Sequence, residues 1–153
     1  MKDIKEMPGH LVRRLQQIAV AVFHSEIEPT GFDITPVQYA ALSTVKTNAG
    51  IDQVTLAGLI AYDRTTIAGV VDRLVQKGLL SREVSEKDRR ARLLRITEAG
   101  DVALAKLTPA VLNAQKVMLS GLEEEEAAEL LRLLHKATAA LNDHSRAPLK
   151  TRS

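Results

Sequence analysis

The chain contains no cysteine and no tryptophan, and its only aromatic residues are two Phe and two Tyr. Without cysteine there is no disulfide and no thiolate zinc site, which fits a reducing compartment; the cytoplasm is the expected location. No window of about 18 residues is continuously apolar, and no apolar run follows the N-terminal lysines, so neither a membrane span nor a signal peptide is expected. With so few aromatics the core must be built from Leu, Val, Ile and Ala, a composition that favours helices. Catalytic signatures are missing too. The four histidines, His10, His24, His135 and His144, form no H-E-x-x-H pair, and there is no G-x-S-x-G elbow or phosphate loop. The run Glu123 to Glu126 fans around a helix axis and suits a helix N-terminus better than a metal. No enzyme activity, metal or cofactor is therefore expected. At 153 residues and 45% apolar, the chain is long enough for one domain or two small, closely packed units.

What is present is an uneven distribution of charge. Residues 64–95 carry nine Arg and Lys against four Asp and Glu, a local +5 in a chain whose total is +2. A nearly neutral chain has placed its positive charge on one short segment, which suits that segment to a polyanion.

In chain order, Met1 to Gly9 is polar and reads as an arm. From His10 to about Glu28, Leu11, Leu15, Ile18 and Val22 recur at helical spacing, widened by Val12, Ala19 and Phe23; Pro29-Thr30-Gly31 ends that helix. Thr35-Pro36-Val37-Gln38 opens a second helix with a capping box and a proline at the first helical position. Asp52 caps a third helix and Asp63 a fourth, in which Ile67, Val70, Val71, Leu74 and Val75 face inward until Gly78 stops it. Two helices across a short turn, the second capped and basic, make a helix-turn-helix pattern. Leu79 to Ser85 and Arg92 to Thr97 read as strands around the tip Glu86-Lys87-Asp88-Arg89-Arg90, a hairpin or wing. A long helix from Thr97 to about Ser120 should be bent or split at Pro109. Ser120 to Glu123 has capping-box spacing before a last helix with Leu130, Leu134, Ala137 and Leu141 on one stripe. From Asp143 the chain is polar and expected to fray.

The fold class is thus mainly α with a small β-wing: a winged helix-turn-helix over 35–97, and a helical dimerisation region from 10–34 and 98–142. The broad apolar faces of the outer helices exceed what the middle unit can cover. Pairing with a second copy is the expected outlet, presenting two recognition helices about one DNA turn apart.

Asp88-Arg89-Arg90, five residues, then Ile96-Thr97 and Gly100 resemble the wing signature of the MarR family, D-x-R, five residues, L-T-x-x-G, with Ile96 in place of the usual Leu. Asp63-Arg64-Thr65-Thr66, Val71-Asp72-Arg73-Leu74 and Lys77-Gly78-Leu79-Leu80 resemble that family's recognition helix and turn. The likeness in element order covers about residues 10–142. The resemblance implies a homodimeric regulator of double-stranded DNA with a palindromic operator. Members usually repress a neighbouring operon and often release DNA when a small phenolic or aromatic acid binds. His10-Leu11-Val12-Arg13-Arg14 with Gln16-Gln17 also resembles regulators of aromatic-acid or nicotinate catabolism.

Arg64, Thr65 and Thr66 lie at the start of the recognition helix, where side chains meet base edges; Gly69, one turn on, would permit close approach. Arg73 suits a phosphate, or a pair with Asp72 or Asp88. On the wing, Lys87, Arg89 and Arg90 are the cations, and the family motif places Arg90 in the minor groove. Asp88 would repel phosphate and is expected to orient Arg90 or Arg73 through a bidentate pair. For an aromatic acid, His10, Arg14 and Gln17 share a helix face, with His24 further along and Tyr39 to close the pocket. Each assignment has a plainer counterpart: Thr65 and Thr66 as cap residues, the tip as a solvated charged turn, Arg14 and Gln17 as interface salt-bridge formers. The competing function is a winged-helix module that binds protein or RNA and has no effector. Steeply salt-dependent binding to a two-fold symmetric duplex separates the two.

Overall fold

The computed structural model describes residues 3–152; Met1 and Lys2 of the expected N-terminal arm, and Ser153, lie outside the described residues. Six α-helices and a three-stranded antiparallel sheet follow in the order α1 (Pro8–Ile27), α2 (Pro36–Thr47), β1 (Ile51–Asp52), α3 (Gln53–Leu59), α4 (Arg64–Gln76), β2 (Leu80–Val84), β3 (Arg92–Ile96), α5 (Glu98–Leu119) and α6 (Glu124–Ala140). No single described helix is long and apolar enough to cross a membrane.

Local chemistry sets most boundaries. Thr35 accepts from the Gln38 N–H at 3.3 Å while Gln38 Oε1 accepts from the Thr35 N–H at 3.2 Å, the reciprocal box expected at the start of α2. Asp52 and Asp63 cap α3 and α4. Gly78 takes φ 72°, the left-handed conformation that ends α4. Four expectations need correction. The arm is shorter than expected: Ile4–Glu6 forms a 3-10 turn and α1 starts at Pro8, whose missing N–H costs nothing at the first helical position. Of the two outcomes expected at Pro109, bend or split, the split does not occur: α5 runs through it, since one lost hydrogen bond is outweighed by the buried face of Ala103, Leu107, Val111 and Ala114. The last helix is capped from Glu123, whose N–H donates to Glu126 Oε1 at 2.9 Å; Ser120 instead donates to the Val117 carbonyl at the end of α5. The C-terminal segment does not fray but turns back onto α3, where the Lys150 N–H reaches the Gly58 carbonyl at 2.9 Å.

The sheet order is β1-β3-β2. β2 and β3 form the hairpin, with Leu80 opposite Ile96 and Val84 opposite Arg92; β1 adds Ile51 opposite Leu94. Beneath the sheet, Ile67, Val71 and Leu74 of α4 pack with Leu42, Val45, Leu56 and Leu94, all fully buried. Each such side chain contributes about 1.5–3 kcal/mol through removal from water. α1 packs along α5, with Phe23 and Ile27 in the common core.

The joint between hairpin and α5 is narrow. The Thr97 hydroxyl donates to the Gly78 carbonyl at 2.6 Å and accepts from the Gly100 N–H at 3.0 Å, while the Thr97 N–H donates to the Leu79 carbonyl at 3.2 Å. A Cβ on Gly100 would lie 2.1 Å from the Leu79 oxygen and 2.7 Å from Ile96 Cγ1. Only a glycine admits that approach. Gly100→Ala should therefore lower stability in denaturant titrations by about 1–3 kcal/mol, the usual cost of forced overpacking. An unchanged midpoint would show that the joint relaxes freely.

Candidate nucleic-acid interface

The candidate interface is built on α4, α3 and the wing. The chain turns through 112° between α3 and α4, within the range of helix-turn-helix pairs. The inward row of α4, Ile67, Val70, Val71 and Leu74, fixes which face points out. Arg64, Thr65, Thr66, Gly69 and Arg73 are all on the exposed side.

At the start of α4, Asp63 Oδ1 accepts from the Thr66 N–H at 2.9 Å and Oδ2 from the Thr66 hydroxyl at 2.7 Å. The Thr66 N–H, then its hydroxyl, hold the Asp63 carboxyl below the ordinary carboxylate range. The Thr66 hydroxyl is thus committed to the cap, and its methyl is the part free for a base; Thr65 is not so engaged. Asp52 repeats the arrangement with Thr55, at 2.8 and 2.6 Å. There burial pushes the carboxyl upward, but the Thr55 hydroxyl and N–H outweigh it and the net displacement is downward. Gly69 has no atom within 4 Å of where a Cβ would stand, so nothing inside the chain requires a glycine there.

The wing tip is organised by backbone, not by ion pairs. Ser85, one of only two buried polar residues among those described, accepts through Oγ from the N–H groups of Lys87 and Asp88, both at 3.3 Å. Asp88 Oδ1 accepts from the Arg90 N–H at 3.0 Å, and its carbonyl from the Ala91 N–H at 2.9 Å. The expected bidentate pair is absent: Arg90 Nε stands 3.7 Å from Asp88 Oδ1, and the Arg90 side chain is 95% exposed. Asp88 shapes the turn and leaves the guanidinium free. Asp72 pairs with Arg82 at 2.6 Å rather than with Arg73, because the Gly78 turn lays β2 beside α4. Among the described residues Arg73, Lys87 and Arg89 make no ion pair.

A groove of about 540 Å³ lies between the first turn of α3 and the wing, with Arg64 the one α4 residue in its lining; the others are Asp52, Gln53, Val54, Asp88, Arg90, Ala91 and Arg92. It brings Arg64 and Arg90, remote in sequence, to one concavity. Gln53, Arg92 and Ser85 are additions that sequence reasoning missed. Gln53 Oε1 is a buried acceptor without a partner, which an amide after a helix cap does not by itself signal. Ser85 had a signal: a serine closing a strand before a polar tip suits a side-chain-to-backbone turn.

The residues proposed for a small molecule are less concentrated. Arg14 and Gln17 are exposed and His10 half-buried on α1. Arg13, not Arg14, binds Gln17, at 2.8 Å. His24 lines a cleft of about 430 Å³ with Phe32, Asp33 and Ile34. Tyr39 lies 3.2 Å from the hydroxyl of Thr108 on α5, which itself donates to the Leu104 carbonyl, so Tyr39 is the donor. A single chain does not gather these five residues around one cleft.

The MarR family model matches residues 34–91. A transcriptional regulatory protein attributed to the hcr operon of Thauera aromatica is 34% identical over 84% of this chain and 76% of its own length. Among solved structures, the PcaV regulator of Streptomyces coelicolor, in complex with its natural ligand, is 33% identical with a TM-score of 0.84, covering 92% of this chain and 97% of its own. Bordetella bronchiseptica BpsR, whose DNA binding is regulated by 6-hydroxynicotinic acid, is 27% identical with a TM-score of 0.83, over 90% and 97% of the two chains. The repressor CouR on a 23-mer DNA duplex is 25% identical with a TM-score of 0.81, over 90% and 96%. The outward row of α4, the Thr97–Gly100 joint and these likenesses agree: the chain belongs to the MarR family of DNA-binding, winged-helix transcriptional regulators.

Proposed function

We propose that two copies of this chain form a two-fold dimer that represses transcription, with α4 of each in a major groove and Arg90 of each wing in the flanking minor groove. Residues 10–34 and 98–142 form the dimerisation region, and 35–97 the DNA-binding unit. The carrying observation is the groove that joins Arg64 at the start of α4 to Arg90 at the wing tip. A duplex with α4 in its major groove would meet Arg64 and Thr65 at base edges, and the wing tip one groove away. The dimer is supported by apolar residues that one chain leaves open: Leu11, Val12 and Ile18 on α1, Leu112 and Val117 on α5, Leu131 and Leu133 on α6. α6 buries none of its residues in the single chain.

The effector is a small aromatic acid. The reading rests on the His10, Arg14, Gln17 and His24 stripe of α1, which supplies one cation and several hydrogen-bond donors beside an apolar surface, and on the likeness to BpsR. A second copy packed on α1 would supply the wall that one chain lacks. Release then follows as a population shift, in which ligand binds a dimer whose recognition helices are spaced wrongly for DNA.

Three outcomes test this reading. Arg90→Ala should weaken binding to the intergenic duplex beside its own gene and reduce the slope of log K against log salt by about 1 per wing, with no change in melting temperature. Equal slopes would remove Arg90 from the interface, and equal affinity of the wild type for single-stranded RNA would sink the duplex reading. Gly69→Ala should stabilise the protein by up to about 1 kcal/mol, since the position is helical and open, yet weaken DNA binding by holding α4 away from the groove. Stability without loss of affinity would place Gly69 off the interface. Finally, a thermal-shift screen of nicotinate-type, benzoate-type and cinnamate-type acids should find a stabilising ligand, worth about 2.7 kcal/mol at 100 times its Kd. Arg14→Ala should abolish that shift and leave DNA binding intact; a normal response in the variant would move the pocket elsewhere.

A further inference from the structure

The segment after α6 does something the helices do not explain. Asn142 brackets Leu149 with its side-chain amide: Nδ2 donates to the Leu149 carbonyl at 2.9 Å, and Oδ1 accepts from the Leu149 N–H at 2.8 Å. The loop so closed delivers Lys150 to α3, where its N–H donates to the Gly58 carbonyl at 2.9 Å. The Lys150 stem lies 3.1–3.4 Å from where a Gly58 Cβ would stand, so the missing side chain of Gly58 makes room for the strap. Beyond it, Arg152 Nη1 donates to Asn48 Oδ1 at 2.7 Å, beside the β1 turn. Four separate contacts hold a polar segment that composition alone would leave in solvent.

Its charge and position give it a use. From Asp143 to Arg152 the chain carries Arg146, Lys150 and Arg152 against the single acid Asp143. All three cations are exposed. Lys150, Thr151 and Arg152 line a cleft of about 430 Å³ with Gly50, Ile51, Asp52, Val54 and Thr55. Asp52 and Val54 also line the groove of Arg64 and Arg90. The tail cations thus stand across the first turn of α3 from the groove that holds Arg64 and Arg90. Asp52, the acid in between, is occupied by Thr55 and has no ion-pair partner among the described residues.

We infer that the C-terminal strap is a second DNA-contacting element, which sets Lys150 and Arg152 against duplex phosphates next to the stretch that α4 and the wing engage. The inference rests on the duplex reading proposed above and extends the contact beyond the helix-turn-helix and wing. The contact is to phosphate, so it adds affinity and salt dependence but no sequence preference.

The test is fluorescence anisotropy with the full chain and the intergenic duplex, titrated from about 50 to 200 mM salt. Lys150→Ala/Arg152→Ala should reduce the salt slope by about 0.9 per lost contact, so the wild type loses about tenfold more affinity than the variant over that range for each tail engaged. Discrimination between the intergenic and a scrambled duplex should stay the same. Asn142→Ala, which keeps every cation but opens the bracket, should shift the slope in the same direction. An unchanged slope in either variant, with the wild type binding normally, overturns the strap alone. A wild type that binds no duplex overturns the strap and the duplex reading together.

Discussion

The contact on which the rest depends is the approach of Gly100 to the Leu79 carbonyl. Three elements meet there. α4 has just ended at Gly78, β2 begins at Leu80, and α5 departs from Thr97. One threonine serves all of them: its hydroxyl gives its proton to the Gly78 carbonyl and takes one from the Gly100 N–H, and its own N–H goes to the Leu79 carbonyl. Those carbonyls and N–H groups belong to helix ends and would otherwise lack partners. The missing Cβ lets α5 start close enough to close the set. The wing motif Ile96-Thr97-x-x-Gly100 is therefore less a DNA signal than a weld between α4 and the helix that would lead to the proposed dimer.

Most of the local structure was legible because its causes lie within a few residues. Thr35, Asp52 and Asp63 announce helix starts through side-chain bonds to N–H groups three positions on, and Gly78 announces an end through its backbone freedom. Failures occurred where the cause is remote or two local signals compete. β1 is only two residues long and exists because Ile51 meets Leu94, more than forty positions away. Ser120 and Glu123 both have cap chemistry; Ser120 loses because the Val117 carbonyl captures its hydroxyl. The tail looks like a frayed end in composition, and its order comes from Gly58, a residue with no side chain to advertise the contact. The candidate interface divides the same way: its cations were visible as a charge excess, whereas Ser85, which shapes the tip, and Gln53, which lines the groove, carry no charge.

The ion pairs also sort the basic segment. Arg82 is taken by Asp72 at 2.6 Å and Arg95 is near Glu83 at 3.6 Å, both at the base of the wing. Exposed pairs of this kind contribute about 0–1 kcal/mol, so their value to stability is small. Their consequence is spatial: acids are consumed at the base, and the cations without an ion pair among the described residues are Lys87, Arg89 and Arg92 around the tip and Arg64, Arg73 and Lys77 on and just after α4, with Arg90 only loosely approached by Asp88 at 3.7 Å. The local excess of positive charge is in effect moved outward, to the surfaces a duplex would touch. Asp88, one of two acids at the tip with Glu86, turns its oxygen to a backbone N–H and so costs the neighbouring guanidinium little of its reach.

The remaining constraint concerns α5. One face of it, Ala103, Leu107, Val111 and Ala114, belongs to the core of its own chain, and another, Leu112 and Val117, is open to water. In the proposed dimer the open face belongs to the partner. A ligand that changes how α1 and α5 pack between two copies acts on a helix whose first turn is welded to the end of α4. Since packed cores shift as units rather than deforming continuously, the proposed dimer would carry a displacement of α5 to the recognition helix. In that proposal, spacing between the two α4 helices is the quantity that a ligand and a duplex would both select, and each would oppose the other through it.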